Sequence, residues 1–363
     1  MRLGYFSMPM HPADRPWQET LAEDRAAVIL ADRLGFHDAF IGEHLTDRME
    51  TITSSMVFLA TLISDTSRIK LATGTSNLSH QHPVVVAAQA AMFDHLAGGR
   101  FILGVSPGAL QTDAEALGIL GEDRAAIFAE AMDVITGIWA GEAPYDLPGA
   151  RFPVSTRRTM NPDLNIGYLP KPLQSPRPEM VGTVLAPYSN TATVLGRRDV
   201  HMLSGNFLLP QWVATHWPKY AAGQEESGLR ADPADWRIAR TIFVADTHED
   251  AVEYALRNPA SPYRAYYAQM MDKMRPLGRM ELFKTDRSMP DEAVTLDGAV
   301  DELVIAGTPD EVAERILTFR EEVGDFGELV YAGMDWVDER LARRSLELMA
   351  EKVMPAVNGA LPS

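Results

Sequence analysis

The chain has 363 residues, of which 46% are apolar and 23% charged, and its 50 acidic and 33 basic residues give a formal charge of −17. These are globular proportions, and the negative charge argues against non-specific binding to nucleic acids or acidic membranes, which attract basic patches. Because the chain contains no cysteine, thiol catalysis, thiolate zinc sites, iron–sulfur clusters and disulfides are excluded.

The start of the chain, MRLGYFSMPMHPADRPW, lacks a charged segment followed by an apolar run. We therefore expect no signal peptide, and no membrane span either, since no run of about 18 apolar residues occurs. The lack of cysteine suits a reducing compartment, and we expect a cytoplasmic protein. Chemistry must then come from histidines, carboxylates, hydroxyls and backbone amides, or from a bound cofactor.

The first part of the chain alternates short apolar strands with helical segments. The sequence predicts strands over Leu3–Phe6, Ala39–Ile41, Ile69–Thr73 and Arg100–Val105. It predicts helices over Asp24–Leu34, Ser54–Asp65, Pro83–Leu96 and Glu122–Gly137. Connections this short between strands and helices indicate parallel strands in βα units.

The same alternation resumes in the second part of the chain. Strands are predicted over Met180–Ala186, His201–Leu203, Arg237–Val244 and Glu328–Tyr331. Helices are predicted over Thr191–Gly196, Gln211–Ala221, His248–Leu256, Pro309–Phe319 and Asp338–Ala356. About eight such units favour an α/β fold of the (β/α)8 barrel type. A doubly wound sheet is the alternative, but no G-x-G-x-x-G turn follows an early strand.

Two stretches interrupt the alternation. Residues 142–179 are rich in proline, and residues 257–300 form a second irregular region. A proline-rich loop of this length inside a compact domain is usually a lid or a disordered insertion. We expect one barrel domain over residues 1–363 that carries both stretches as insertions, the first of them a candidate lid.

Four of the nine histidines, His11, His44, His80 and His82, lie in the loops after early strands. A barrel of this type places its active site at the carboxyl ends of its strands. His44 ends an apolar strand where nothing structural requires an imidazole, so it is a candidate catalytic residue. His82 directly precedes Pro83 and is favoured as a helix cap. We expect no metal site, because adjacent Glu43 and His44 point to opposite faces of their strand.

Ser189, Asn190 and Thr191 lie between a predicted strand and a predicted helix. The amides at a helix N-terminus, together with hydroxyls, suit a phosphate. The same residue types are also favoured as ordinary helix caps, so both interpretations stay open. Gly74, Gly104 and Gly108 follow or end neighbouring strands and would let a flat ligand approach the backbone.

Four segments, in this order along the chain, carry a resemblance to a known family. They are LGFHDAFIGEH (34–44), IKLATGTSNLSHQHPVVVAAQAAMFDHLAGGRFILGVSPGA (69–109), APYSNTATVLGRR (186–198) and VIAGTPDEVAERI (304–316). Together they resemble the bacterial-luciferase-like family of flavin-dependent monooxygenases. The HQHP sequence and the early MHP look like the branch that includes limonene and diketocamphane monooxygenases.

The resemblance implies a barrel that binds reduced FMN, supplied by a separate NAD(P)H:flavin reductase. The family reacts the flavin with O2 and, through a flavin peroxide, inserts one oxygen atom into a hydrophobic organic substrate. By this resemblance His44 is catalytic, while Gly74, Thr75 and Ser106 face the flavin. The turn Ser189, Asn190 and Thr191 corresponds to the phosphate site.

One residue departs from the family pattern. The family places an arginine on the strand-four loop to bind the phosphate, and this sequence has Pro107 there. That departure weakens the phosphate contact or moves its positive partner elsewhere. We also expect an apolar substrate pocket, with His11, His80, Met10 and Trp336 as candidate substrate-binding residues.

Two alternatives and one assembly state accompany this interpretation. The same barrel occurs in oxidoreductases that use deazaflavin F420, whose polyanionic tail needs basic groups that the strand-four loop lacks. A non-catalytic flavin-binding protein is the other alternative. The predicted helix Ser54–Asp65 is apolar nearly all round, and such a helix is buried on more than one side. We therefore expect a homodimer through this region.

Overall fold

A computed structural model describes residues 1–7 and 10–361. Its main feature is a closed ring of eight parallel strands, which confirms the barrel predicted from the sequence. The strands are β1 Arg2–Ser7, β2 Asp38–Ile41, β3 Lys70–Thr73, β4 Phe101–Ser106, β5 Glu179–Val184, β6 His201–Ser204, β7 Arg237–Val244 and β8 Glu328–Gly333. Each pairs with the next along the chain, and β8 pairs with β1 to close the ring.

Helices surround the ring. They are α1 Trp17–Leu34, α2 Ser55–Ala60, α3 Pro83–Leu96, α4 Gln111–Ala116, α5 Arg124–Ala140, α6 Asn190–Arg197, α7 Pro210–Val213, α8 His216–Glu226, α9 His248–Val252, α10 Pro262–Met274, α11 Leu296–Leu303, α12 Pro309–Val323, α13 Glu339–Leu348 and α14 Met354–Ala360. Single π-helical turns follow α9 at Glu253–Arg257 and α13 at Met349–Val353. No helix in the described part of the chain is long and apolar enough to cross a membrane.

A short strand outside the ring, Val304–Gly307, was not predicted. It pairs with Thr241–Val244 in the second half of β7, while the first half of β7, Arg237–Arg240, pairs with β8. The strand has only four residues and follows α11 without a turn residue. Strand periodicity cannot be recognised over so short a segment, so the sequence gave no signal for it.

The inside of the barrel is an apolar layer to which every strand contributes one side chain. Because side chains alternate along a strand, only every second residue points inward. The layer consists of Phe6, Phe40, Ala72, Ile102, Val181, Leu203, Ala239 and Val330. It fills the centre of the ring and forms the floor beneath the carboxyl ends of the strands.

The opposite end of the barrel is closed by buried charges. Arg237 is only 1% exposed, and its Nε donates to Asp38 Oδ2 at 3.1 Å while its Nη1 donates to Glu179 Oε1 at 2.7 Å. Burial acts to lower the pKa of Arg237, but the charges of Asp38, Glu328 and Glu179 raise it well above its usual range. Burial, with the charge of Asp38, raises the pKa of Glu328 to about 7.

The insertion 142–179 packs on the outer side of the barrel. It contains the two-stranded pair Asp146–Leu147 and Val154–Ser155. Lys171 Nζ donates to the carbonyl of Ile138 at 2.8 Å, and the backbone N–H of Gln174 donates to Asp94 Oδ2 at 2.8 Å. These bonds hold the segment against α5 and α3. Its role as a lid stays a prediction.

The region 257–300 is helical rather than irregular. Ser261 caps α10 by accepting from the N–H of Arg264 at 3.4 Å, and Pro262 occupies the first turn of that helix. Tyr263, Tyr266 and Tyr267 of α10 are buried. The Ser–Pro start was a helix signal in the sequence, but the prolines and glycines around it obscured the periodicity.

Several local predictions can be compared directly with the structure. His82 caps α3, since its Nδ1 accepts from the N–H of Val84 at 3.3 Å, as predicted. Thr308 forms a capping box with Glu311 at the start of α12. The predicted helix Ser54–Asp65 is shorter than expected, because α2 ends at Ala60 and turns follow it.

Candidate active site

A cavity of about 630 Å³ lies at the carboxyl ends of the strands, above the apolar inner layer. Its walls are mostly apolar and its few polar groups come from the loops after β2, β3, β4 and β6. The lining residues are Phe6, Glu43, His44, Gly74, Thr75, Asn77, Ser106, Ala109, Thr183, Leu185, Leu203, Gly205, Asn206, Phe207 and Ala239. Four residues predicted to form the site, His44, Gly74, Thr75 and Ser106, therefore lie together.

The chain between β3 and β4 packs so closely that only glycine fits at two positions. A Cβ at Gly74 would lie 2.9 Å from the backbone nitrogen of Ile41, and a Cβ at Gly104 would overlap the carbonyl oxygen of Thr73. The peptide between Gly74 and Thr75 is cis. The glycines predicted to admit a ligand are thus also required by neighbouring backbone.

Hydroxyls and an amide form a small network on this side of the cavity. Thr75 Oγ1 donates to Ser106 Oγ at 2.8 Å, and Ser106 Oγ donates to Asn77 Oδ1 at 2.7 Å. The N–H of Gly108 donates to Ser106 Oγ at 3.1 Å. Ser106 is therefore held in one orientation by three neighbours.

His44 lies between two carboxylates. Its Nδ1 is 3.2 Å from Asp113 Oδ2, and its Nε2 is 3.4 Å from Glu50 Oε2. Asp113 also accepts from the N–H and the hydroxyl of Thr46, at 2.9 and 2.6 Å. Burial acts to raise the pKa of Asp113, but these hydrogen bonds lower it overall. An ionised Asp113 can only accept, so the proton of a neutral His44 sits on Nδ1.

The second partner of His44 is almost fully buried. Glu50 is 5% exposed, and burial raises its pKa, although His44 and Lys273 act in the opposite direction. Lys273 of α10 donates to Asp47 Oδ2 at 2.6 Å and lies 3.5 Å from Glu50 Oε1. The region 257–300 therefore supplies the cation that faces this pair of acids.

Two further polar residues of the cavity are held from behind. Burial raises the pKa of Glu43, and its Oε2 accepts from the N–H and the hydroxyl of Ser55 at 2.8 and 2.7 Å. Asn206 Oδ1 accepts from the Tyr266 hydroxyl at 3.1 Å, while its Nδ2 donates to Thr241 Oγ1 at 3.0 Å. Both side chains are fixed by partners outside the cavity.

The predicted phosphate turn lies at the start of α6, after β5. Ser189 Oγ accepts from the N–H of Thr191 at 3.2 Å, which is an ordinary N-cap bond. Asn190 is exposed, and Ser189 and Thr191 are partly exposed. The turn is next to the cavity wall through Leu185, which ends the same strand segment. Its free helix-start amides and hydroxyls are a donor set that suits a phosphate.

His11 and Trp336, two predicted substrate-binding residues, lie elsewhere. His11 is buried, with Nδ1 2.6 Å from Asp335 Oδ1 and Nε2 3.3 Å from Asp24 Oδ2. Burial acts to lower the pKa of His11, but these two carboxylates raise it to about 9. Trp336 stacks with Arg343 at 4.7 Å. Neither lines the cavity, so the structure gives their predicted role no support.

Met10 and His80 are also outside the cavity lining. Met10 is buried in the core beside His11. His80 packs against Gly108, where a Cβ would lie 2.5 Å from His80 Nε2. That nitrogen is buried without a hydrogen-bond partner among residues 1–7 and 10–361, and burial lowers the pKa of His80. Their substrate-binding role stays a prediction.

Sequence reasoning missed the acids that hold His44. Asp113 was noted only as the opening of a helical segment, and Glu50 was not singled out. Asp113 lies 69 positions from His44 in the chain, so no local spacing links them. The available signal was weak: the β2 and β4 loops are neighbours in a barrel, and an acid in the second can reach a histidine in the first.

Comparisons with known proteins agree with this geometry. The family model for luciferase-like monooxygenases matches residues 1–325. The chain is 31% identical to 4-hydroxyprotoasukamycin monooxygenase of Streptomyces nodosus subsp. asukaensis, over 99% of this chain and 92% of that protein. It is 30% identical to limonene 1,2-monooxygenase of Rhodococcus erythropolis, over 99% and 87% of the two chains.

A solved structure shares the fold. It is the FMN complex of the oxygenating constituent of 3,6-diketocamphane monooxygenase from Pseudomonas putida, a type II Baeyer–Villiger monooxygenase. The TM-score is 0.89, with 23% identity and coverage of 100% of this chain and 99% of that one. At this level of identity the likeness shows the fold, and the barrel with its open upper end is common to both.

Proposed function

Because this chain belongs to the family of luciferase-like monooxygenases, we propose that it is the oxygenase component of a two-component system. It takes reduced FMN from a separate NAD(P)H:flavin reductase and uses O2 to insert one oxygen atom into a hydrophobic organic substrate. The membership makes the chain a flavin-dependent monooxygenase. The reduced cofactor, the reductase and the substrate class are our proposal.

The observation that carries the proposal is the position of His44 on an apolar cavity at the open end of the barrel. An apolar wall made by Phe6, Leu185, Leu203 and Phe207 excludes water from this space, and reactions of reduced flavin with O2 need such exclusion. A phosphate-sized donor set lies at Ser189–Thr191 on the rim. The residues present therefore fit a flavin mononucleotide.

Bound reduced FMN supplies the electrons that activate O2 and so the oxygen-transfer chemistry, which relieves the chain of any need for a thiol or a metal. The chain itself binds, orients and moves protons. Asp113 fixes the proton of His44 on Nδ1, so Nε2 is the atom that gains and loses a proton. Glu50 lies 3.4 Å from that atom and exchanges the proton with it.

The proposed function is tested by reconstitution. The protein is mixed with FMN, a flavin reductase and NADH, and O2 uptake and products are followed over a panel of terpenoids, cyclic ketones and other neutral apolar compounds. Incorporation of one labelled oxygen atom from O2 into a product is the expected result. Turnover with F420 and no oxygenation would favour the alternative oxidoreductase, and tight flavin binding without any turnover would favour a flavin-binding protein.

We expect the flavin to be weakly bound and exchangeable. Pro107 stands where the resemblance implies an arginine, and the turn at Ser189–Thr191 is partly open to solvent. A missing charge-assisted hydrogen bond lowers affinity by roughly 10- to 100-fold. The protein should purify colourless and bind reduced FMN better than oxidised FMN, as measured by anaerobic titration. A yellow protein that retains stoichiometric FMN through gel filtration would contradict this.

We also propose a homodimer through the α2–α3 side of the barrel. Val57 of α2 is 70% exposed, and Val85, Met92 and Leu96 of α3 are also exposed. Apolar side chains clustered on one surface are typical of an interface. Light scattering at micromolar concentration should give about twice the chain mass of 40.0 kDa. Met92→Glu with Leu96→Glu should shift it to the monomer, and a monodisperse wild-type monomer would contradict the prediction.

A further inference from the structure

An arginine without a carboxylate partner lies beside the phosphate turn. Arg287 belongs to the segment between the 3₁₀ turns Met280–Phe283 and Asp291–Ala293. Its guanidinium lies 4.7 Å from the ring centre of Trp212 and 5.5 Å from that of Tyr188. Its Nη2 donates to the Tyr188 hydroxyl at 3.3 Å. Within residues 1–7 and 10–361, no carboxylate oxygen lies within 4.0 Å of it.

The acids close to Arg287 in sequence are already engaged. Asp286 Oδ1 accepts from the N–H and the hydroxyl of Ser288, both at 2.8 Å. Asp291 pairs with Lys284 at 2.7 Å. The positive charge of Arg287 is therefore not neutralised locally, although the chain as a whole has an excess of 17 negative charges.

The segment that carries Arg287 is fastened to the rim of the barrel. Gln211 of α7 donates from Nε2 to the carbonyl of Lys284 at 3.1 Å. The two rings beneath the guanidinium also belong to the rim, Tyr188 to the loop after β5 and Trp212 to α7 after β6. The stack thus places a cation between these two loops.

The stack adjoins the donor set of the turn. Tyr188 directly precedes Ser189, and its backbone N–H is held by Thr215 Oγ1 at 2.9 Å. The arginines of α6 itself point elsewhere: Arg197 pairs with Glu226, and Arg198 pairs with Asp133 at 2.8 Å. These two side chains lie at the far end of the helix and are occupied.

We propose that Arg287 is the cationic partner of the cofactor phosphate, in place of the arginine that Pro107 replaces. This inference rests on the proposed function, since it assumes that FMN lies in the cavity with its phosphate at Ser189–Thr191. The segment 257–300 then has two tasks at the site: Lys273 faces the acids beside His44, and Arg287 completes the phosphate site. The aromatic stack keeps the guanidinium extended over the rim, so little rotamer freedom is lost on binding.

A competing cation lies on the other side of the rim. Arg124, at the start of α5, donates from Nη1 to the carbonyl of Gly108 at 3.0 Å. It is close to the strand-four loop, where the resemblance implies the phosphate arginine. Arg124→Met and Arg287→Met remove the same charge and keep a similar side-chain length, so they form a matched pair.

Dissociation constants for FMN and riboflavin are measured by fluorescence quenching for the wild type, Arg287→Met, Arg287→Lys and Arg124→Met, at low and high KCl. Because Arg287 is exposed, its loss should weaken FMN binding about fivefold at low salt, and less at high salt. Riboflavin, which has no phosphate, should be unaffected. Arg287→Lys should retain most of the FMN affinity, and Arg124→Met should retain all of it.

Equal weakening of both flavins by Arg287→Met would overturn the inference, because Arg287 would then act on the ring or on the fold. Selective loss of FMN in Arg124→Met, with Arg287→Met unchanged, would assign the phosphate to the other side of the rim. A wild-type protein that binds neither flavin, oxidised or reduced, would overturn the proposed function and this inference with it. Thermal melting of each variant controls for loss of fold.

Discussion

His44→Ala should reduce oxygenation by roughly 10²-fold or more while the fold stays intact. The imidazole is the one titratable group that lines the cavity with a ring nitrogen available for a changing proton, because Asp113 holds the other nitrogen at 3.2 Å. Alanine leaves the cavity and the flavin contacts of the β3 and β4 loops in place. The ratio of product formed to reduced FMN consumed is the measurement, taken with the best substrate of the panel.

A second variant separates proton transfer from simple positioning. His44→Asn keeps a donor that can reach Asp113 but has no group that titrates near neutral pH, so it should be as impaired as alanine. His248→Ala is the matched control, because that histidine is exposed on α9 and pairs only with Glu311 at 2.9 Å. Full product yield with unchanged coupling in His44→Ala would refute the role.

The regular parts of the fold were readable from the sequence because each strand and helix carries its own local signal. Helix Pro83–Leu96 and strand Arg237–Val244 occupy the residues predicted for them. The first is bounded by a proline and a glycine pair, and the second is a continuous apolar run. The helices of residues 257–300 were missed, since their burial depends on three tyrosines packed under α11 and β7 rather than on a clean periodic pattern.

The site was predictable only where position along a strand decides it. His44, Gly74, Thr75 and Ser106 follow three consecutive strands, and the barrel brings consecutive strand ends together. The same rule misled for His11, which also follows a strand. There Asp335, 324 positions away, and Asp24 draw the ring into a buried ionic cluster instead. Which carboxylate meets which histidine depends on tertiary packing, and no spacing in the sequence encodes it.

Ser189→Ala combined with Thr191→Ala should raise the dissociation constant for FMN by roughly 10- to 100-fold and leave riboflavin binding unchanged. Both hydroxyls lie at the first turn of α6, where the free amides and the helix dipole favour an anion. The strand-four loop contributes Pro107 rather than a cation, so these hydroxyls carry a larger share of the phosphate contact. The comparison of the two flavins isolates the phosphate, because their ring systems are identical.

Ser189 is also the N-cap of α6, accepting from the N–H of Thr191 at 3.2 Å, so the variant loses about 1 kcal/mol of helix stability as well. Thr308→Ala is the control for that loss, since Thr308 caps α12 at a site remote from the turn. It should lower the melting temperature to a similar extent without changing either dissociation constant. If FMN and riboflavin weaken equally in the double variant, or neither weakens, the phosphate is bound somewhere else and the turn after β5 is only a helix cap.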